Sequence, residues 1–135
     1  MSTTPEYEKL LSELMAGELK KIERKILEAL LQAPNGLNRK ELIRVVFGEE
    51  AQNNLGNDTR DRKIRKGIES LRNCLIPIVS SSGKAGYRLD NNPETIEGMI
   101  REWESRITHL QQKVEAARNY YNLPIKPFHA KRHDQ

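Results

Sequence analysis

The chain has 135 residues, of which 31% are charged and 36% hydrophobic, with a formal net charge of +4 and a sequence pI of about 9.3. That length allows one small domain with appendages and a modest core, and the basic balance suits an acidic partner. The single cysteine, Cys74, excludes an internal disulfide, and no apolar run approaches the roughly 20 residues of a membrane span. The start, MSTTPEYEKLL, lacks the cationic and apolar regions of a signal peptide. The expectation is a cytoplasmic protein with a buried, inert thiol at Cys74.

Residues 2–5 are expected to be loose. Residues 6–15 read as a short helix with Tyr7, Leu10, Leu11 and Leu14 on one side, broken at Gly17. A stronger helix is expected over 18–32, with Leu19, Ile22, Ile26, Ala29 and Leu30 facing inward and Pro34-Asn35-Gly36 ending it. Asn38, with Glu41 three residues on, reads as a capping-box-like start for a third helix. Leu42, Val45 and Val46 are its expected core positions, with Phe47 near its end. Residues 48–57 (GEEAQNNLGN) form a polar connection with two glycines.

The stretch from Asn57 to Leu89 carries the densest pattern. Asn57 or Asp58 caps a helix in which Ile64, Ile68 and Leu71 fall at i, i+4 and i+7, one apolar stripe. The opposite face carries Thr59, Arg62, Lys63, Lys66 and Ser70, while Arg65 and Arg72 lie on a flank. Six of the fifteen residues from Asp58 to Arg72 are Lys or Arg and three are acidic, a local net charge of +3. Glu49, Glu50, Asp58 and Asp61 read as surface and capping carboxylates. Residues 75–80 read as a strand, with Pro77 marking an edge or preceding the true pairing. Residues 81–86 (SSGKAG) supply a glycine turn, and Tyr87-Arg88-Leu89 return as a second strand.

After Asn91-Asn92-Pro93 a long helix is expected over 94–121. Ile96, Ile100, Trp103, Ile107, Leu110, Val114, Ala117 and Tyr121 recur in alternating steps of four and three, a heptad seam. At ~1.5 Å per residue this helix is long compared with the body of a small domain. β-Branched residues at Ile100, Ile107 and Val114 with Leu110 between them favour a parallel two-stranded coil. A parallel pair would set Lys113 against Arg118, and an antiparallel pair would match Glu97 with Arg118 but bring Arg106 near Lys113, so charge does not choose the direction. The competing expectation packs the seam on the Tyr7, Leu10, Leu11 and Leu14 face. Residues 122–135 read as a basic flexible tail in which Lys126, Lys131 and Arg132 can meet phosphates. His129 and His133, spaced i, i+4, fall short of the three protein ligands a zinc site needs.

The order helix, helix, basic helix, strand, glycine turn, strand is the winged helix-turn-helix plan. DRKIRKGIESLRNCLIPIVSSSGKAGYRL resembles the corresponding segment of DeoR-like and biotin-repressor-like winged-helix domains, small bacterial or phage proteins among them. The likeness rests on the basic helix Arg62 to Leu71, on Ile76-Pro77-Ile78 and on Gly86-Tyr87-Arg88-Leu89, and it covers about Lys20 to Leu89. It implies that the basic helix enters a DNA major groove and that the wing touches an adjacent groove or the backbone. On that resemblance Thr59, Arg62, Lys63, Lys66 and Ser70 form the recognition face, and Ser82, Lys84 and Arg88 are wing contacts. The ten-residue connection before the basic helix departs from the short turn of a simple helix-turn-helix. Nothing resembles the effector or catalytic domains of larger relatives.

The sequence therefore implies a mainly α, small α+β protein: an N-terminal helical extension (1–17), a winged helix-turn-helix domain (18–91), a long helix (92–121) and a tail (122–135). The expected activity is sequence-specific binding of double-stranded DNA by a homodimer, as a transcriptional regulator. Its dimer contacts run from Ile96 to Tyr121 along the seam. The alternative is a protein-interaction adaptor, or a replication or packaging accessory factor. No phosphate loop, HExxH motif or nucleophile elbow is present, so no catalytic residue, metal, cofactor, small-molecule ligand or membrane contact is expected.

Overall fold

A computed structural model describes residues 4–17, 19–80 and 86–124. Among them the chain forms α1 (Pro5–Ala16), α2 (Lys21–Leu31), β1 (Leu37–Asn38), α3 (Arg39–Phe47), a 3-10 turn (Leu55–Asn57), α4 (Thr59–Asn73), β2 (Ile78–Ser80), β3 (Gly86–Leu89) and α5 (Pro93–Tyr120). The architecture is mainly helical with a small antiparallel sheet in the order β1-β3-β2. The chain divides into two units, residues 1–96 and 97–135. No helix among the described residues is long and apolar enough to cross a membrane.

In the first unit, α2, α3 and α4 each turn one apolar face inward. Ile26, Leu27 and Leu30 meet Leu42, Ile43, Ile64, Ile68 and Leu71, and Ile76 and Ile78 close the core from the sheet side. Full burial of each such side chain is worth about 1.5–3 kcal/mol. α4 approaches α2 closely at Gly67, where a Cβ would stand 2.5 Å from Ile26 Cδ1. Leu10, Leu11, Leu14 and Met15 of α1 pack against the same core. Arg24 holds the end of α1, donating from Nη1 to the Met15 carbonyl at 2.5 Å and from Nη2 to the Gly17 carbonyl at 3.3 Å.

The helix starts follow local chemistry. Thr4 Oγ1 accepts from the Tyr7 N–H, so α1 begins at Pro5 and that residue is helical rather than loose. α2 starts later than the periodicity implies, at Lys21, where Glu23 accepts from the Lys20 N–H at 3.3 Å; Leu19 packs from outside the helix. Asn38 and Glu41 form the reciprocal cap of α3, at 2.8 and 3.0 Å. α3 buries Leu42, Ile43 and Val46, whereas Val45 is 54% exposed. The α3 face is rotated toward Ile43, because it meets both α2 and α4.

β1 has no counterpart in the sequence reading. It pairs with β3 through Leu37 opposite Tyr87 and Asn38 opposite Gly86. Gly36 makes this possible: it has φ +91°, and a Cβ there would stand 2.6 Å from the Tyr87 carbonyl oxygen. Gly86 therefore opens a strand instead of only completing a turn. β2 begins at Ile78, after Pro77, and is an edge strand paired only with β3. Leu75, expected in the strand, instead takes φ +73° where α4 closes, with the Ile76 N–H donating to the Leu71 carbonyl. Cys74 is half-buried rather than buried.

α5 ends at Tyr120, so Tyr121 lies in the turn beyond it. Asn122 takes φ +59° and the Leu123 N–H donates to the Arg118 carbonyl at 2.8 Å, a left-handed helix closure. The expected tail from residue 125 onward, with Lys126, His129, Lys131, Arg132 and His133, lies outside the described residues.

Replacing Gly36 with Ala is expected to destabilise the protein by about 2 kcal/mol or more, because the left-handed backbone and the β3 carbonyl both oppose a Cβ. Urea unfolding of the variant beside the parent chain measures this.

Candidate functional site

α4 is where charge is sorted. Asp58 caps it, its Oδ1 accepting from the Arg60 N–H at 3.0 Å. Arg60 then folds back over the cap. Its Nε and Nη2 donate to Asp58 at 3.0 Å each, Nη1 donates to Glu49 at 3.1 Å, and Nη2 also reaches the Glu50 carbonyl at 3.0 Å. The Gln52 N–H donates to Asp58 Oδ2 at 3.0 Å. The Arg60 side chain, with the Gln52 N–H, holds the Asp58 carboxyl well below its ordinary value. This cluster ties the ten-residue connection to the start of α4.

Asp61, expected on the surface, is fully buried. Arg39, the first residue of α3, grips it with two guanidinium nitrogens: Nε to Oδ1 at 2.7 Å, and Nη2 to Oδ2. Arg65, one turn further along α4, donates to Oδ2 at 3.2 Å. The hydrogen bond to Asp61 raises the Arg39 pKa above its ordinary value, with burial acting against it. A buried carboxylate needs such partners, since desolvating it unpaired is expensive.

Arg72 is spent on the sheet. Its Nε donates to the Ile78 carbonyl at 2.9 Å and its Nη2 to Ser80 Oγ at 3.1 Å, clamping the end of α4 to β2. Three of the six cations of this stretch thus hold structure. The other three, Arg62, Lys63 and Lys66, are exposed and make no hydrogen bond or ion pair among the described residues. Thr59 is exposed beside them and Ser70 is half-buried. All five predicted face residues therefore share the outer side of α4, opposite Ile64, Ile68 and Leu71.

Of the three residues expected as wing contacts, Ser82 and Lys84 lie outside the described residues. Arg88 sits on β3 opposite Val79 and contacts Asp90 Oδ2 at 3.5 Å, with 40% of its side chain exposed.

A groove of about 430 Å³ runs alongside the α4 face. Lys63, Lys66 and Ser70 line it from α4, Val46 and Phe47 from the end of α3, and Lys20, Lys21 and Lys25 from the start of α2. The three α2 lysines were not legible as site residues, because only folding brings them beside a helix some forty residues downstream.

The seam residues lie on α5 and the turn after it. Ile107, Leu110 and Val114 are more than half exposed, at 56%, 59% and 52%, and Ile96, Ile100, Ala117 and Tyr121 are exposed as well, while Trp103 is half-buried. No cluster of potential metal ligands occurs among the described residues. Compared with known proteins, the chain matches no family model, no curated protein and no solved structure.

Asp61→Ala is expected to cost about 2–3 kcal/mol, since it strips two arginines of a buried partner that both reach water only in part. Thermal or urea unfolding reads this. A loss below 0.5 kcal/mol, the range of an ordinary surface change, would show that the pair does not hold α3 to α4.

Proposed function

We propose that this protein is a winged helix-turn-helix DNA-binding protein, a transcriptional regulator that binds duplex DNA as a homodimer. The observation that carries the reading is the division of charge on α4. The acids Asp58 and Asp61 are buried and paired, while Arg62, Lys63 and Lys66 face solvent with no ion pair among the described residues, beside a single exposed acid of the helix, Glu69. A helix so built docks on its own core and offers a cationic face to phosphates and base edges. The succession α2, α3, α4, β2, β3 supports the same reading, with Arg72 joining α4 to the hairpin strand that follows it.

In this mechanism α4 enters the major groove. Arg62 can make a bidentate pair with guanine, and Lys63 and Lys66 act as point charges toward phosphates. Thr59 and Ser70 add hydroxyl contacts at the two ends of the face. Arg88 is available to the hairpin side. The exposed heptad face of α5 supports a homodimer, since a second copy would bury Ile107, Leu110 and Val114 and present two α4 helices to a two-fold site.

A titration of duplex DNA at several salt concentrations tests the reading. With about four phosphates neutralised per protomer, the slope of log K against log[salt] should be near −7 for the dimer. Changing Arg62 and Lys66 together to Ala should weaken binding by roughly a hundredfold, one to three kcal/mol for the guanine contact plus one phosphate. The fold should persist, because neither side chain holds any other element. Unchanged affinity in that variant would remove α4 from the interface, and absence of binding by the parent chain would end the proposal.

The dimer is checked separately by the mass of the full chain in solution. Ile107→Asp with Leu110→Asp should halve that mass, because buried charge at two adjacent seam layers is not tolerated. A parent chain that is monomeric at all concentrations would withdraw the homodimer while leaving the DNA contact open to the titration.

A further inference from the structure

The groove beside α4 contains an unbalanced concentration of positive charge. Five lysines line it: Lys20 at the cap of α2, Lys21 and Lys25 within α2, and Lys63 and Lys66 from α4. All five are exposed, and none of their ammonium groups has a hydrogen bond or ion pair among the described residues. The lining holds one acid, Glu23. Glu23 is a buried residue whose carboxylate accepts from the Lys20 N–H, so it is engaged at the start of its own helix. The floor, from Ile22, Val46 and Phe47, is apolar and has no counter-charge to offer.

Folding does not need these lysines. The core beneath them is complete without their ammonium groups, and Lys21 and Lys25, at i and i+4 on one helix, repel each other. A groove that gathers like charges over an apolar floor is costly when empty and favourable when an anion fills it, because the low-polarity wall strengthens each ionic contact. Two of the lysines belong to the proposed DNA-contacting face, so an occupant of the groove is continuous with whatever lies on α4.

We infer that this groove carries the phosphodiester backbone of the bound DNA, with Lys20, Lys21 and Lys25 as phosphate contacts beyond the α4 face. The inference rests on the DNA-binding reading and extends it to residues of α2. Lysine serves here as a point charge, so the groove adds affinity without selecting a sequence. The division of labour is explicit: Arg62 reads bases, and the α2 lysines hold the strand beside it.

The test compares the full-length parent chain with two triple variants, Lys20→Gln/Lys21→Gln/Lys25→Gln and Lys20→Arg/Lys21→Arg/Lys25→Arg, on a short mixed-sequence duplex across a salt series. The glutamine variant should bind about tenfold or more weakly at moderate salt, with a slope shallower by roughly one for each lysine in contact. Its thermal midpoint should be unchanged or raised, and the arginine variant should retain affinity and slope. Should the triple change lower the midpoint, Lys21→Gln alone must still flatten the slope by about one. Parent binding with an unaltered slope in the glutamine variant overturns the groove and leaves α4 in place. Equal loss in both triple variants also overturns it, since charge would not be the cause. No binding by the parent overturns both readings.

Discussion

A carboxylate with no access to water sets the terms for the rest of this fold. Asp61 lies within the apolar stripe of α4 and is stable there only because Arg39 reaches across from the start of α3 and Arg65 closes from one turn along. The attraction fixes the spacing and rotation of two helices at once, which apolar contact alone does loosely. It also removes a negative charge from the surface of the helix most rich in cations. With Asp58 committed to the cap, three exposed cations, Arg62, Lys63 and Lys66, outnumber the one exposed acid, Glu69, on the outer side of α4.

The same economy extends to the other arginines. Arg24 closes α1, Arg60 fastens the connection before α4, and Arg72 fastens the strand after it. Each has a planar fork that satisfies two or more acceptors in fixed directions. The groove around Lys20, Lys21 and Lys25 uses lysine instead, and lysine holds nothing in place there. Residue type thus separates charge used for building from charge left available, a distinction invisible in the net value of +4.

Periodicity made the helices legible. Ile26, Ala29 and Leu30, and Ile64, Ile68 and Leu71, are buried as their spacing implies, and the Asn38–Glu41 cap forms as its chemistry implies. β1 was not legible, because two residues carry no period and Leu37–Asn38 is a strand only by virtue of β3 beside it. Asp61 was misread for a related reason: within a charged run an acid looks solvated, and the partner that buries it stands 22 residues away. The exchange of Val45 for Ile43 came from a nine-residue helix that packs on two neighbours, so its buried arc is wider than one stripe. Of the site, the outer face of α4 could be placed by helical angle alone. The α2 side of the groove could not, since it depends on the tertiary approach at Gly67.

The Arg60 cluster has a consequence for divergence. Within the ten residues before α4, Glu49 pairs with Arg60, Glu50 lies 3.9 Å from Arg44, Asn54 accepts from the Gly56 N–H, and Ala51 and Leu55 pack against the core, so only the remaining side chains carry no geometric duty. Gln52 and Asn53 are exposed and contribute no side-chain bond among the described residues. Substitution can accumulate at such exposed positions without moving α4, provided Asp58 and Arg60 persist together. Descendants of a common ancestor would then look unrelated here while keeping the same internal fastening. Kinship would be read from an Asp-x-Arg-Asp signature and a distant arginine at position 39, rather than from overall resemblance.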